Sequence, residues 1–431
     1  MQDLGEEATG AEKQDENMKI LQINSHYNQG GAARIVACIH RQLLAHGQEA
    51  YVAYGRGGKG TSNGYRFNTV PEVWLSALCS RVFGRNGWYN RAATRRLLRY
   101  MDGLKPDVIH LHTLHGYYLN FPMLFRYINR HRIPCVWTFH DCHAFTGNCG
   151  YFFDCDKWKE GCSVCPYLRN YPASQWFDHT GEMWRQKREL FTQGAEKVIV
   201  TPSCWLTEQA KQSYFGGYPC ITIHNGIDTK QVFYPRDRRS CREKYGFGPE
   251  EKLILGIAVG YRDERKGAKY IIQLAKDFGS GVKVILIGWN RENDAMLEGT
   301  DNILTIPNTA DADMLAEYYS LADVFVIPSL AENYATTTVE AMACGTPVVG
   351  FAVGGIPEQL QGGRGIAVKA GDQVLFEEAV RRVLEGRGGL LEREALAGVI
   401  REENSTEKMT AAYERVYGEL LGKRGAEQRG R

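Results

Sequence analysis

No run of apolar residues in this chain of 431 approaches the ~18 needed to cross a bilayer. Residues 1–17 lack the apolar segment of a signal peptide and carry six acidic side chains against one lysine. They read as a disordered extension, too polar to bury a core. The chain is therefore expected in the cytoplasm. Charge of one sign is not in excess: the formal net charge is +2. A global electrostatic footprint for nucleic acid is absent, and no nucleic-acid partner is expected. No internal sequence repeat is visible. In a reducing compartment the twelve cysteines are expected as thiols or metal ligands, not disulfides.

What the chain does have is a regular alternation. Strand-like apolar runs at 19–24, 49–54, 107–111, 134–139, 197–201 and 220–224 alternate with helical stretches. A second set follows at 252–259, 282–287, 302–306, 323–327 and 347–351. This is the pattern of parallel α/β sheets, and the length calls for two domains. The break falls near His224-Asn-Gly-Ile-Asp228, where a strand runs into a turn. The expected division is 18–228, 229–403, a helix over 404–421, and a flexible tail over 422–431. Met409, Tyr413, Val416, Tyr417 and Leu420 share one face of that helix, the spacing of a packing stripe.

Two glutamates, Glu332 and Glu340, lie in Pro328-Ser-Leu-Ala-Glu332-Asn-Tyr-Ala-Thr-Thr-Thr-Val-Glu340. The first is placed on the loop leaving the strand 323–327, the second in the first turn of the next helix. In open α/β sheets the crevice at the carboxyl ends of the strands is where ligands bind. Two carboxylates there suit a ligand with several hydroxyls. Thr337-Thr-Val-Glu340 also has the form of a capping box, with Gly345 as the left-handed stop, so a purely local role for Glu340 stands beside the ligand role.

The segment resembles the E-x7-E signature of retaining glycosyltransferases of family 4. The resemblance implies a GT-B fold: α/β, two Rossmann-like domains facing a central cleft. It implies that Glu332 holds the donor sugar and Glu340 the nucleotide ribose. Asn333, Tyr334 and Ala335 are then donor-binding as well. Gly30 and Gly31, between the first strand and a helix, resemble the family's first glycine loop. Backbone N–H groups and a helix N-terminus there favour an anion; a bare turn is the alternative. Gly260-Tyr-Arg262-Asp-Glu-Arg265-Lys266-Gly267 resembles the family's basic motif, departing from it at Tyr261. Lys266 and either Arg262 or Arg265 are expected at the departing diphosphate. His140, in His140-Asp141, resembles the histidine beside the reacting centre; a structural histidine is the alternative. His110 and His112 alternate along a strand end, and one of them is a weaker candidate for the cleft. No role is assigned to Glu358.

Cys142, Cys149, Cys155, Cys162 and Cys165 form a cysteine-rich insertion over 142–165. The last two make a C-x2-C knuckle of the kind that holds zinc, and Cys149, Cys155, Cys162 and Cys165 make a four-thiolate set. Structural zinc, free thiols, and a redox or iron–sulfur centre are the three readings. From Ser76 to Met101 there are six arginines and no acidic residue, with Phe83, Trp88 and Tyr89 interleaved. A basic, aromatic-bearing helix fits an anionic membrane surface; a solvated face or an acceptor-phosphate site fits too.

The expected activity is retaining transfer of a sugar from a nucleotide-diphosphate donor to a glycan or lipid-linked acceptor in surface-polysaccharide assembly. No Asp-x-Asp of the type that clamps a divalent metal on a donor diphosphate is read, so transfer without a cofactor is expected. The protein is placed in the cytoplasm, with a peripheral position on the inner membrane face. A GT-B epimerase and a non-catalytic sugar-nucleotide-binding protein are the competing readings.

Overall fold

The computed structural model describes residues 17–57, 60–257, 263–289, 295–309 and 311–429. The extension expected over 1–17 lies outside them but for Asn17. Every apolar run expected as a strand becomes one. In the first half these are β1 (Lys19–His26), β2 (Glu49–Arg56), β4 (Val108–Leu111), β5 (Cys135–Thr138), β6 (Lys197–Thr201) and β7 (Cys220–Thr222). In the second they are β8 (Leu253–Ile257), β9 (Lys283–Ile287), β10 (Ile303–Ile306), β11 (Val324–Ile327) and β12 (Val348–Phe351). Two strands are additions to the sequence reading: β3 (Gly64–Arg66) and β13 (Gly365–Val368). Both are sheet edges, short and largely unburied.

The strands form two sheets, ordered β3-β2-β1-β4-β5-β6-β7 and β10-β9-β8-β11-β12-β13. All pairs are parallel, with registers such as Ile20↔Val108 and Phe325↔Leu255. Helices cover both faces, which is why the central strands are buried end to end. In each sheet the order reverses beside the first strand, between β1 and β4 and between β8 and β11. Those two switch points position the ligand crevices.

The helix Thr406–Arg429 returns to the first domain. It is longer than expected, running through most of the predicted flexible tail. Met409, Tyr413, Val416, Tyr417 and Leu420 pack with Ile20, Ile35, Ile39 and Leu43 in one buried cluster. The hydroxyl of Tyr417 meets His110 Nδ1 at 2.6 Å, and that of Tyr413 meets Thr138 Oγ1 at 2.9 Å. His110 is thus a core residue and does not reach the cleft. The outgoing and returning crossings touch: Ile227 N–H donates to Asn404 O (2.8 Å), and Thr406 N–H donates to Ile227 O (3.1 Å). Gly226 fits there because a Cβ would collide with the Ser405 carbonyl.

The basic segment is not one helix. Helices Val70–Phe83 and Arg91–Leu104 are separated by a turn at Gly84–Asn90. Trp88 packs inward on Phe121, while Arg85 pairs with Glu182 and Arg96 with Glu72. Arg81, Arg91, Arg95 and Arg99 stay exposed. Among the described residues no helix is long and apolar enough to cross a membrane.

Tyr417→Ala should destabilise the chain by roughly 3–5 kcal/mol through the cavity it leaves. Urea unfolding measures this. A loss below about 1 kcal/mol would mean that the returning helix is not docked on the first domain.

Candidate functional site

The loops leaving β1, β5 and β11, together with Lys266, converge on a cleft of about 830 Å³ between the two sheets. Its lining includes Gly30, Gly31, His140, Lys266, Glu332, Asn333, Tyr334, Ala335 and Glu340. The sequence candidates from four distant segments therefore share one space. Gly30 has φ +85° and precedes the helix Gly31–Ala45. A Cβ at either glycine would meet nothing in the protein, so the helix N-terminus faces open cleft.

Glu332 is 8% exposed, on the loop after β11. Lys266 Nζ donates to its Oε2 at 2.7 Å, and Arg265 Nη1 stands 3.7 Å from the same oxygen. Burial pushes the Glu332 carboxyl up, but the Lys266 ammonium and the Arg265 guanidinium outweigh it and hold the carboxyl below its ordinary value. Gly267 turns the chain here with φ +70°, and a Cβ would collide with the Pro328 carbonyl. Arg265 is engaged elsewhere: it donates to Ala331 O (3.0 Å), pairs with Asp263 (3.0 Å), and lies 4.4 Å over the Tyr151 ring. It is not among the cleft-lining residues. Arg262, its rival for the diphosphate, lies outside the described residues.

Glu340 is not a helix cap. Its helix runs Thr336–Ala343 with Ala335 at the N-cap, which makes no side-chain cap bond. Glu340 therefore falls in the second turn, not the first. The Ala335 backbone is instead satisfied by the Gln359 amide, at 3.3 and 3.0 Å. The stop is as expected, with Gly345 at φ +79°. Glu340 accepts from the Tyr319 hydroxyl (2.9 Å) and stands 3.7 Å from Arg34 of the first domain. Burial raises its carboxyl, against the pull of Arg34 and Tyr319. Arg34 was missed by sequence. A cation in the first turn of a helix opposes the macrodipole, and that misfit was the available signal.

His140 is backed by His112: its Nε2 lies 3.1 Å from His112 Nδ1, and His112 Nε2 lies 3.1 Å from Gln22 Oε1. Burial pushes His140 down to about 4, against the opposing pull of Asp141, so the ring is neutral at pH 7. His112 thus supports the cleft histidine without lining the cleft. Asp141 bonds His115 Nε2 at 2.6 Å. His115 and Tyr151 both line the cleft; neither sits in a motif, and sequence reasoning missed them.

Asn333 and Tyr334 turn their side chains to the domain junction. Asn333 accepts from Ser203 Oγ (2.5 Å) and donates to His140 O (3.1 Å). Tyr334 stacks on His224, 4.9 Å between ring centres, and its hydroxyl accepts from Asn404 (2.9 Å). Glu358 acquires a role: its carboxylate accepts the Cys204 N–H at 3.0 Å, at the start of the first-domain helix Cys204–Gln212.

Cys149, Cys155, Cys162 and Cys165 border a second cavity of about 20 Å³. All are free thiols. Among the described residues no group of three or more His, Cys, Asp or Glu side chains is set to hold a metal ion as it stands. Two Asp-x-Asp triplets occur, at 154–156 and 311–313. Asp311 caps the helix Ala312–Leu321, Asp313 pairs with Arg236, and Asp154 accepts from Tyr167; none of the three lines the cleft.

Two family models match the chain: "Glycosyltransferase Family 4" over residues 29–231 and "Glycosyl transferases group 1" over 237–398. A relative from Escherichia coli K12, the putative colanic acid biosynthesis glycosyl transferase WcaC, is 28% identical over 85% of this chain and 90% of its own. Sucrose-phosphate synthase from Thermosynechococcus elongatus superposes with a TM-score of 0.68 at 17% identity, covering 94% of this chain and 99% of that one. Anabaena HepE in complex with UDP-glucose gives 0.64 at 15%, covering 94% and 100%.

Glu332→Gln should lower stability by about 1–2 kcal/mol at pH 7, since Lys266 keeps some access to water. The Glu332 carboxyl lies lower in the folded chain than unfolded, so its contribution is present above the ordinary value of 4.5 and is lost as pH falls through the folded value. Thermal melts of both proteins from pH 7 to 3 should therefore converge. A gap that persists at pH 3 would contradict the ion pair.

Proposed function

The chain belongs to the family 4, group 1 glycosyltransferases, whose models together span most of it, and we propose that it moves a sugar, with retention, from a nucleotide-diphosphate donor to a glycan or lipid-linked acceptor of a surface polysaccharide. The fold is GT-B, as in the solved neighbours. The observation that carries the reading is the Lys266–Glu332 pair, placed across one cleft from Gly30, Gly31 and His140. HepE, with UDP-glucose bound, supports a nucleotide-sugar donor. The WcaC relationship supports surface polysaccharide as the product.

In this reading the donor diphosphate lies between the open helix N-terminus at Gly31 and the Lys266 ammonium. Charge develops on the diphosphate as the glycosidic bond breaks, and fixed positive groups stabilise it most in the transition state. Glu332 holds a sugar hydroxyl and Glu340 the ribose. Lys266 leaves Glu332 in part to meet phosphate, exchanging one anion for another. His140, uncharged, accepts or donates a hydrogen bond at the reacting centre without adding charge. Attack comes from the face the diphosphate leaves. A double displacement would need a carboxylate nucleophile about 5 Å from an acid partner, and Glu332 is instead tied to two cations. Closure of the two domains supplies positioning.

The acceptor side fits a lipid-linked substrate on an anionic membrane. Trp74, Leu75 and Leu78 of the helix Val70–Phe83 are 71%, 62% and 59% exposed, and Trp176 and Phe177 are exposed as well. The loop 174–177 abuts the end of that helix, with Gln175 N–H donating to Arg81 O (2.8 Å). Exposed apolar side chains on that helix, and exposed arginines at 81, 91, 95 and 99, are suited to an anionic interface.

A thermal-shift screen of UDP-, GDP- and dTDP-sugars should raise the melting temperature with one donor class. Glu332→Ala and Lys266→Ala should then each lower kcat by about 10²–10³, and NMR of the product should show the donor's anomeric configuration. Turnover untouched by Glu332→Ala would defeat the assignment. Sedimentation with phosphatidylglycerol vesicles should fall at least about tenfold in Trp74→Glu/Leu78→Glu; equal binding by both proteins would refute membrane docking at this face.

A further inference from the structure

The cysteine-rich insertion is the largest feature that sugar transfer leaves unexplained. Four cysteines spread over 149–165 line one cavity of about 20 Å³, room for a single body the size of a water molecule. Burial raises the Cys149, Cys162 and Cys165 thiols, and backbone amides in the walls point at sulfur. Gly147 N–H donates to Cys162 Sγ at 3.1 Å, and the backbone N–H of Tyr167 reaches the Cys165 thiol two residues before it. Such N–H···S bonds orient and stabilise metal-bound thiolates.

A buried cation stands beside them. Lys187 is wholly buried in the helix Thr180–Phe191. Its ammonium donates to His143 O (2.7 Å) and Thr146 O (3.1 Å), and among the described residues no carboxylate forms an ion pair with it. Burial lowers it to about 7, against the raising pull of Cys149, Cys162 and Asp141. An isolated buried ammonium is unfavourable; a tetrathiolate zinc centre of net charge 2− would be its counter-ion.

We infer that Cys149, Cys155, Cys162 and Cys165 bind a structural zinc ion as four thiolates, with Lys187 as the buried counter-charge. Each thiol gives its proton to solvent as its sulfur binds. The side chains do not stand as a metal-holding set now, so the sulfurs turn about χ1 onto the ion within the cavity they already share. The consequence reaches the cleft. Tyr151 follows Cys149 by two residues, lines the cleft, and carries Arg265 over its ring. Zinc therefore fixes Tyr151 and, through it, the basic loop that ends in Lys266. This site stands independently of the sugar reading.

The test uses the full chain purified from zinc-supplemented cells without chelator. Elemental analysis should find about one zinc per chain, and Cys162→Ser/Cys165→Ser should lose it while Cys204→Ser, altered at an exposed thiol away from the cavity, keeps it. If the double variant does not fold, cobalt added to chelator-stripped wild type should give intense thiolate-to-metal absorption and raise the melting temperature. Zinc below about a tenth of an equivalent in the wild type, with no cobalt band, would overturn the site.

Discussion

Asn333 bonds across the junction in two directions at once, to Ser203 and to the carbonyl of His140. Its neighbour in sequence is Glu332. One side chain therefore sets the distance between the carboxylate of the second domain and the histidine of the first. Around it, Gly354 and Gly355 pass so close that a Cβ on either would collide with the Glu332 or Asn333 carbonyl. The Glu358 carboxylate on the Cys204 amide closes the same seam. Polar bonds of this kind are directional and weak enough to exchange with water. They fix the register of two domains without gluing them.

The two glutamates are unlike in a way their spacing conceals. Glu332 meets two cations and is held ionised. Glu340 meets a hydroxyl and one more distant guanidinium, and burial dominates. The Lys266 ammonium can exchange the Glu332 carboxylate for another anion, whereas a carboxyl raised by burial gains from any donor that enters.

The strands and the site loops were legible because burial on both faces leaves apolar runs, and because ligand loops follow strand ends. Glu332, His140 and Lys266 line one cleft. What was not legible depended on contacts far apart in sequence. Gln359, not Thr337, satisfies the helix start near Glu340, and local spacing cannot reveal a cap supplied from the next helix. His110 read as a cleft candidate because its partners, Thr138 and Tyr417, come from distant segments. β3 and β13 were missed because strands of three and four residues are too short to show a period. Tyr151 was hidden within the cysteine insertion, where no periodicity marks a direction.

The chain crosses between its domains twice, and the crossings at Ile227 and Ser405 lie side by side, joined by backbone bonds. A single tether would allow one half to swivel freely, like a ball on a string. Two adjoining tethers act as the knuckles of a door hinge and permit essentially one swing. The far rim of the cleft must then travel farther than the region near the crossings. Tyr334 is bonded to Asn404 and Asn225 beside these crossings, and the Arg34–Glu340 and Tyr151–Arg265 contacts are two more that join the halves.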